Sequence, residues 1–218
     1  MLSRIDSRGE DGFTLIELLA AMLLISAVFA AFAGTFSMVE QRDNTLQGQA
    51  VLATTARPML DTMASELESA MCNGTTQPIT TANGTQLSFT TPDRQQPYHL
   101  QQITYTLSNG VLTRQVALST NTGGPPWTMG AAQTTNTVNS VTNSVVFDFR
   151  KQPPPGDQFG QNDPSLDLSP NGAAVSAANL PLIREVTMLL TVVPFASSGT
   201  GSLTTQSSAT LRTPTCSS

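Results

Sequence analysis

The chain has 218 residues, a length that indicates one domain of ordinary size with a short appendage. Charged residues make up only 11% of it, whereas soluble domains average about 25%, and 21 serines and 31 threonines take their place. The net charge of −5 excludes the Lys- and Arg-rich surface with which nucleic-acid-binding domains neutralise phosphates. Two cysteines are too few for a disulfide scaffold or a four-cysteine zinc site.

The apolar residues are concentrated near the start of the chain. Residues 13–36 read FTLIELLAAMLLISAVFAAFAGTF and contain one charge, Glu17. A helix of this length spans about 36 Å, enough to cross the roughly 30 Å hydrocarbon core of a bilayer. A secretory signal is the alternative, because the segment 31–33 imitates a cleavage site, but the apolar run is longer than such a signal needs. The pattern therefore predicts a helix that spans the membrane once.

Glu17 is the informative residue of this helix. A carboxylate within a membrane helix costs on the order of a few kcal/mol at the bilayer centre, so it is a candidate functional residue. A tolerated Glu in a plain signal anchor is the alternative interpretation. Residues 12–17 read Gly-Phe-Thr-Leu-Ile-Glu, which places the carboxylate at the fifth position after Gly12. This segment resembles the processing motif of type IV prepilins and pseudopilins.

The resemblance covers about the first 30 residues closely and implies a processing pathway. It implies that residues 1–12 are a leader peptide, that a prepilin peptidase and methyltransferase cleaves after Gly12, and that Phe13 is then N-methylated. It also implies that Glu17 neutralises the N-terminal amine of a neighbouring subunit in a filament. A buried ion pair that forms only on assembly is suited to fixing the axial register of subunits.

Residues 37–72 have the composition and spacing of an amphipathic helix and are expected to continue the same helix, bent or straight, into the head. Pro58 predicts a kink or break near Ala56, because proline removes a backbone donor and clashes with a preceding carbonyl. Asn73-Gly74 predicts that the helix stops after Cys72. Glu66 and Glu68 are expected on the polar side. The expected apolar face consists of Leu52, Ala56, Met59, Leu60, Met63, Leu67, Ala70 and Met71.

Residues 73–218 are expected to form a β-rich head. Apolar and polar residues alternate in several short runs, and Asn109-Gly110 between two of them is a strong hairpin signal. The fold class is therefore predicted as α+β, with the long N-terminal helix packed against five to seven mostly antiparallel strands. Segments 119–143 and 152–181 are expected to be long loops. The expected strands lie around 87–89, 103–107, 111–116, 145–149, 186–192, and at 203 and 209–212.

This order of elements resembles the minor subunits of type IV filament systems, and most closely the J-type pseudopilins of type II secretion and the W-type minor pilins. The resemblance implies a pilin-like structural subunit, not an enzyme, that belongs to a tip or priming complex in pilus assembly or type II secretion. Its expected partners are other minor and major pilins or pseudopilins. Arg4 and Arg8 favour a cytoplasmic N-terminus, which places the protein in a bacterial inner membrane with its head in the periplasm or outside the cell. A membrane-anchored periplasmic binding domain that does not polymerise is the alternative.

The remaining sequence features carry weaker hypotheses. Cys72 and Cys216 can form a disulfide if the tail folds back onto the end of the helix, and two free thiols are the alternative. A nucleophilic pair of Cys72 with His99, the single histidine, is conceivable, but a surface histidine is the favoured interpretation. Trp127 is interpreted either as an anchor for a partner or as part of the head's own core.

No cofactor is expected, with a weak possibility of calcium. The oxygen-rich side chains of one Pro- and Gly-containing segment could bind Ca²⁺, although their spacing does not match an EF-hand and a solvated acidic loop is the favoured alternative. These residues are Asp157, Asn162, Asp163 and Asp167. The sequence contains none of the common hydrolase or nucleotide-binding motifs, which agrees with a structural role.

Overall fold

The computed structural model describes residues 14–93, 99–121, 124–153, 163–193, 202–212 and residue 216. The chain divides into two units, residues 1–44 and residues 45–218. Helix α1 (Leu15–Val51) begins in the first unit. The head, which contains all the strands, belongs to the second.

The helical part is interrupted where Pro58 predicts it. Helix α1 is followed by a π-helical turn, Leu52–Ala56, and then by helix α2 (Arg57–Glu68). Pro58 is the second residue of α2, where its missing N–H and its ring disturb the hydrogen bonds of the preceding turn. The wider π turn absorbs this disturbance, and Ala56 keeps helical dihedrals of −72° and −47°.

Helix α2 ends four residues earlier than expected. The predicted end at Cys72 is wrong, because the chain leaves the helix at Ser69 and turns towards the sheet. The Ser69 hydroxyl shares a hydrogen bond of 2.8 Å with Thr91, and the Met71 N–H donates to the Thr90 carbonyl at 2.9 Å. Pairing with a strand thus replaces the last expected helical turn.

Five strands form the larger sheet, in the order β1 to β5, and every neighbouring pair is antiparallel. The predicted hairpin is confirmed: Asn109 and Gly110 adopt φ of 50° and 73°, the left-handed conformation that a tight two-residue turn requires. The strands are β1 (Ile79–Asn83), β2 (Gln86–Asp93), β3 (His99–Ser108), β4 (Val111–Leu118) and β5 (Gln133–Val138).

Three further strands form a separate antiparallel sheet: β6 (Phe147–Lys151), β7 (Ile183–Val192) and β8 (Leu203–Thr210). The head therefore has eight strands in the described residues, more than the five to seven expected. Strands β1 and β5 were not predicted, and β5 lies within the segment that was expected to be a loop. Its sequence QTTNTV has no apolar alternation, and five of its six residues are exposed.

The described part of the second expected loop, residues 163–182, lies against the sheets. Leu168 donates its N–H to Phe149 of β6, and Val175 donates to Ala82 of β1, each at 2.8 Å. Gly172 approaches Gly84 so closely that a Cβ on Gly84 would lie 2.7 Å from the Gly172 Cα. The segment contains short 3-10 turns at Pro164–Leu166, Pro170–Gly172 and Leu180–Leu182.

The core of the head lies between helix α2 and the strands, as the expected α+β class requires. Helix α2 packs mainly against β8. Four of its predicted apolar residues are buried, and they meet aromatic side chains of β2, β3 and β6. The central members of this core are Met59, Leu60, Met63, Leu67, Phe89, Tyr105, Phe147 and Phe149.

Glu66 corrects one prediction, because it does not lie on a solvated face. Its carboxylate accepts a hydrogen bond of 2.7 Å from the Tyr105 hydroxyl and forms an ion pair with Arg114. Tyr105 and Arg114 are directly opposite each other on β3 and β4, so both reach the same point of α2. Burial, and then the charge of Glu66, raise the pKa of Tyr105 and keep its hydroxyl protonated as a donor.

Candidate functional site

Thr14 and Glu17 form a reciprocal cap at the start of helix α1. Because α1 begins at Leu15, Thr14 is its N-cap residue and Glu17 is its third residue. The Glu17 carboxylate accepts from the Thr14 N–H at 3.3 Å and from its hydroxyl at 3.2 Å, while the Thr14 hydroxyl oxygen accepts from the Glu17 N–H at 3.4 Å. This is a capping box, which satisfies backbone donors at the helix start. The positive end of the helix dipole also favours a carboxylate at this place.

The helix that follows has the length and surface of a membrane span. Residues Leu15–Phe36 have a mean hydropathy of 2.5, and their side chains are exposed within the chain itself. Twenty-two residues extend about 33 Å, close to the thickness of a hydrocarbon core. The hydroxyls of Ser26 and Thr35 donate to the carbonyls of Leu23 and Phe32 at 2.8 Å, so they need no partner from water.

Gly12 and Phe13, the residues expected to flank the cleavage, lie outside the described residues. In the sequence, the expected cleavage position between them lies one residue before Thr14 of the capping box. The Thr-x-x-Glu signature of the box was present in the sequence, although Thr14 was not singled out from it.

The two cysteines meet at the end of the helical region. Cys72 and Cys216 form a disulfide, with 5.7 Å between their Cα atoms and a separation of 144 positions in the sequence. This bond ties the segment after α2 to the C-terminal tail. Cys72 therefore has no thiol to act as a nucleophile with His99, whose Nδ1 lies 2.9 Å from the Ser119 carbonyl oxygen.

Trp127 belongs to the head's own core, which decides between its two interpretations. Its side chain is 9% exposed. The Asn73 side chain holds its backbone from both sides, accepting from the Trp127 N–H at 2.7 Å and donating to its carbonyl at 3.0 Å. These two bonds attach the backbone of Trp127 to the residue that follows Cys72.

Two of the four expected calcium ligands are in the described chain, and both carboxylates cap local turns. Asp163 accepts from the Ser165 N–H at 2.8 Å, which lowers the pKa of Asp163, and Asp167 accepts from the Ser169 N–H at 2.7 Å. Asp157 and Asn162 lie outside the described residues. Within the described ranges, no group of three or more His, Cys, Asp or Glu side chains is arranged to hold a metal ion. The calcium site therefore stays a prediction.

Asp148 on β6 carries a charge that its surroundings disfavour. Partial burial, and then the nearby charge of Asp167, raise the pKa of Asp148 above its usual range. A hydrogen bond from the Ser169 hydroxyl and an ion pair at 3.5 Å with Arg150 act in the opposite direction. The net effect is a carboxylate that is held in the head at some cost to folding.

The family comparison agrees with the N-terminal geometry. Residues 7–33 match the model described as the prokaryotic N-terminal methylation motif. The match contains Gly12, Phe13 and Glu17 and ends within helix α1. No curated protein matches the chain.

This motif, together with the apolar helix and the α+β head, supports a type IV pilin-like protein. The motif implies processing by a prepilin peptidase and assembly with other pilins. The apolar helix at Leu15–Phe36 is consistent with anchoring in the inner membrane.

Proposed function

We propose that this chain is a minor subunit of a type IV filament system, cleaved after Gly12, N-methylated at Phe13 and assembled through the helix that follows. The observation that carries the proposal is the methylation motif, which extends into an exposed apolar helix whose one charge is Glu17. The order of elements in the head favours a J-type pseudopilin or a W-type minor pilin, which belongs to a tip or priming complex.

Glu17 supplies the specific contact of assembly in this proposal. Cleavage leaves a positive amine at Phe13, next to the positive end of the helix dipole. In the separate subunit, Thr14 holds the Glu17 carboxylate at its own helix start. In the filament, Glu17 pairs with the amine of a neighbouring subunit. An unpaired charge buried among apolar helices costs several kcal/mol, so only the register that pairs both groups is favourable.

Small residues along the helix support its lateral packing against other helices. They allow close approach of backbones, which is how helices associate where the hydrophobic effect no longer drives them. Gly34 has open space around it, with no heavy atom within 4 Å of the position a Cβ would take. The small residues of this surface are Ala20, Ala21, Ala27, Ala30, Ala31, Ala33 and Gly34.

The head supports a minor rather than a major subunit. In the pilin family that the N-terminal motif resembles, major pilins commonly close a loop near the C-terminus with two cysteines. Here the disulfide joins Cys72, just after α2, to Cys216 in the tail. Before cleavage, Arg4 and Arg8 keep the N-terminus of the precursor on the cytoplasmic side of the membrane. The head of the processed chain then contacts other minor subunits from the periplasmic side.

Co-purification from host membranes tests this function. A C-terminally tagged chain would be isolated in mild detergent beside a Gly12→Arg variant, which blocks cleavage and keeps the helix. We expect other proteins with a methylation motif to co-purify with the wild-type chain and to be lost with the variant. If wild type and variant recover the same partners, or none that carries the motif, the chain is an anchored binding domain and the proposal fails.

A further inference from the structure

A cavity of about 610 Å³ opens at one end of the three-stranded sheet. Strands β6 and β8 end there and β7 begins there, because the three strands are antiparallel. Arg150, Glu185 and Thr210 are aligned across the three strands in direct register. The cavity therefore brings together residues that are far apart in sequence.

Positive charge dominates the lining of this cavity. Four of the ten Lys and Arg residues of the chain contribute to it, although the chain as a whole carries −5. They are Arg150, Lys151, Arg184 and Arg212, and Glu185 is the one acidic residue among the lining residues. Such a concentration in an acidic protein creates a local field that attracts anions.

The neighbouring carboxylates neutralise only part of this charge. Asp148 lies 3.5 Å from Arg150 in a partly buried ion pair, and Glu68 lies 3.6 Å from Arg212 in an ion pair that is largely open to solvent and therefore weak. Lys151 forms no ion pair within 4 Å of any residue that the structure describes. Hydrogen bonds from Ser165 are the main cause that lowers the pKa of Asp163, and the charges of Lys151 and Arg150 contribute to lowering it.

Arg184 is held in place without being neutralised. One nitrogen of its guanidinium donates to the carbonyls of Pro181 and Ile183, at 3.1 and 3.3 Å. Carbonyl oxygens orient the group but carry no full charge, so its remaining donors keep their positive field. A guanidinium fixed in this way is suited to bidentate recognition of a carboxylate.

The cavity also has an apolar wall, formed by Pro153, Leu166 and Leu211. Its volume lies within the range of sites that hold drug-sized ligands, which is far more than one small inorganic anion fills. An occupant must therefore combine several negative charges with an apolar group. An acidic segment of a polypeptide has this composition.

We propose that the cavity binds an acidic peptide segment of a partner protein, with its carboxylates at Arg150, Lys151 and Arg184 and an apolar side chain against Leu166 and Leu211. This site lies wholly in the head and does not use the N-terminal motif. It goes beyond the proposed filament function, and it would serve an anchored binding domain equally well.

Binding to the full chain in phosphatidylcholine nanodiscs tests the site. The probe is a five-residue peptide with blocked ends, four acidic residues and a central leucine, and its matched control carries the corresponding amides. Calorimetry measures the affinity. Lys151 is the one lysine of the chain, so protection of its amine from acetylation, located by mass spectrometry, reports occupancy of this cavity.

We expect the acidic peptide to bind and to slow acetylation of Lys151, and the amide peptide to do neither. Charge reversal by Lys151→Glu should weaken binding about tenfold or more, as expected for loss of a charge-assisted hydrogen bond. Arg57→Glu is the matched control, because Arg57 is an exposed residue outside the cavity and the change alters the net charge equally. It should weaken binding by less than about threefold.

Several results would overturn the site. If Lys151→Glu and Arg57→Glu weakened peptide binding equally, the binding would come from long-range attraction to the whole chain and not from this cavity. If the amide peptide bound as tightly as the acidic peptide, or if neither bound to the folded chain, the proposal of an acidic partner would be wrong. Protection of Lys151 by inorganic phosphate as effective as that by the peptide would indicate a small-anion site instead. None of these results affects the co-purification of processed subunits, so the filament function is judged separately.

Discussion

The N-terminal helix and the head use the same apolar residues in opposite ways. In residues Leu15–Phe36, large apolar side chains point outward on every side, and Leu15 is 81% exposed. In the head, the same residue types are enclosed, and Leu67 is fully buried. A helix that is apolar all round is stable only when lipid or other helices surround it. The head stabilises itself, whereas the helix depends on its surroundings. The proposed passage of a subunit from the membrane into a filament requires this difference.

The largest expected effect is that of replacing Glu17, which should disrupt assembly through the helix and leave the stability of the head unchanged. Glu17→Leu should abolish co-purification with other processed subunits, because the amine of a neighbour would then be buried without its partner. The free energy of unfolding of the head should not change, since the Glu17 side chain bonds only to Thr14 among the residues that the structure describes. Glu68→Leu, which removes an exposed carboxylate of α2, is the matched control. Normal co-purification of Glu17→Leu would contradict the assembly role of this residue.

The disulfide should make the next largest contribution, and only in the head. Replacing Cys72 and Cys216 together by serine should lower the free energy of unfolding by up to about 5 kcal/mol, because the bond closes a very long loop in the unfolded chain. Denaturant titration followed by the fluorescence of Trp127, the single tryptophan, measures this change. A reducing agent should destabilise the wild-type chain and leave the double variant unaffected. Equal stability of the oxidised wild-type chain and the double serine variant would refute the prediction.

A pair of leucine substitutions compares the two regions most directly. Leu67→Ala should destabilise the head by about 3 kcal/mol, because it leaves a cavity in the core. Leu18→Ala removes the same atoms from an exposed position of α1 and should change the unfolding of the head by less than about 0.5 kcal/mol. Denaturant titration of both variants in detergent provides the measurement. A similar loss in both would mean that the helix contributes to the stability of the head.

The smallest expected effect concerns Asp148 and depends on pH. Its pKa is raised, so the folded chain binds this proton more tightly than the unfolded chain, and the group favours folding increasingly as the pH falls. Asp148→Asn should therefore stabilise the head at pH 7 by less than about 1 kcal/mol, since solvent screens this partly exposed group. The gain should disappear near pH 3, where the wild-type carboxyl is also protonated.

Asp163→Asn is the matched control for that experiment, because hydrogen bonds from Ser165 lower the pKa of Asp163. Removal of the Asp163 carboxylate should destabilise the head at neutral pH. This loss of stability should also become smaller at low pH, as the wild-type carboxylate becomes protonated. Unfolding titrations at pH 7 and pH 3 measure both variants. Changes of the same sign at pH 7 would contradict the electrostatic explanation.

Local patterns predicted much of the fold. The hairpin at Asn109-Gly110 and the long alternating strand β7 follow from a few adjacent residues. Strand β5 has no such pattern. Five of its six residues are exposed, and five consecutive polar residues leave no alternation of polar and apolar side chains. It becomes a strand only by pairing with β4, and no short sequence window contains that information.

Long-range register explains what the sequence could not predict about the sites. Glu66 looked like a solvent-facing residue because its partners, Tyr105 and Arg114, come from strands about 40 and 50 residues away. The cations of the head cavity likewise come from β6, β7 and the segment just after β8, which only the antiparallel sheet brings together. The methylation motif was readable from sequence because its residues are adjacent in the chain.

Intact mass and N-terminal sequence of the chain from host membranes test the central claim most directly. The proposed function predicts a chain that begins at Phe13 and carries one added methyl group. A chain that begins at Met1 would be a plain signal anchor. A start beyond Ala33 would mean a secreted domain, and either result would contradict the filament-subunit function.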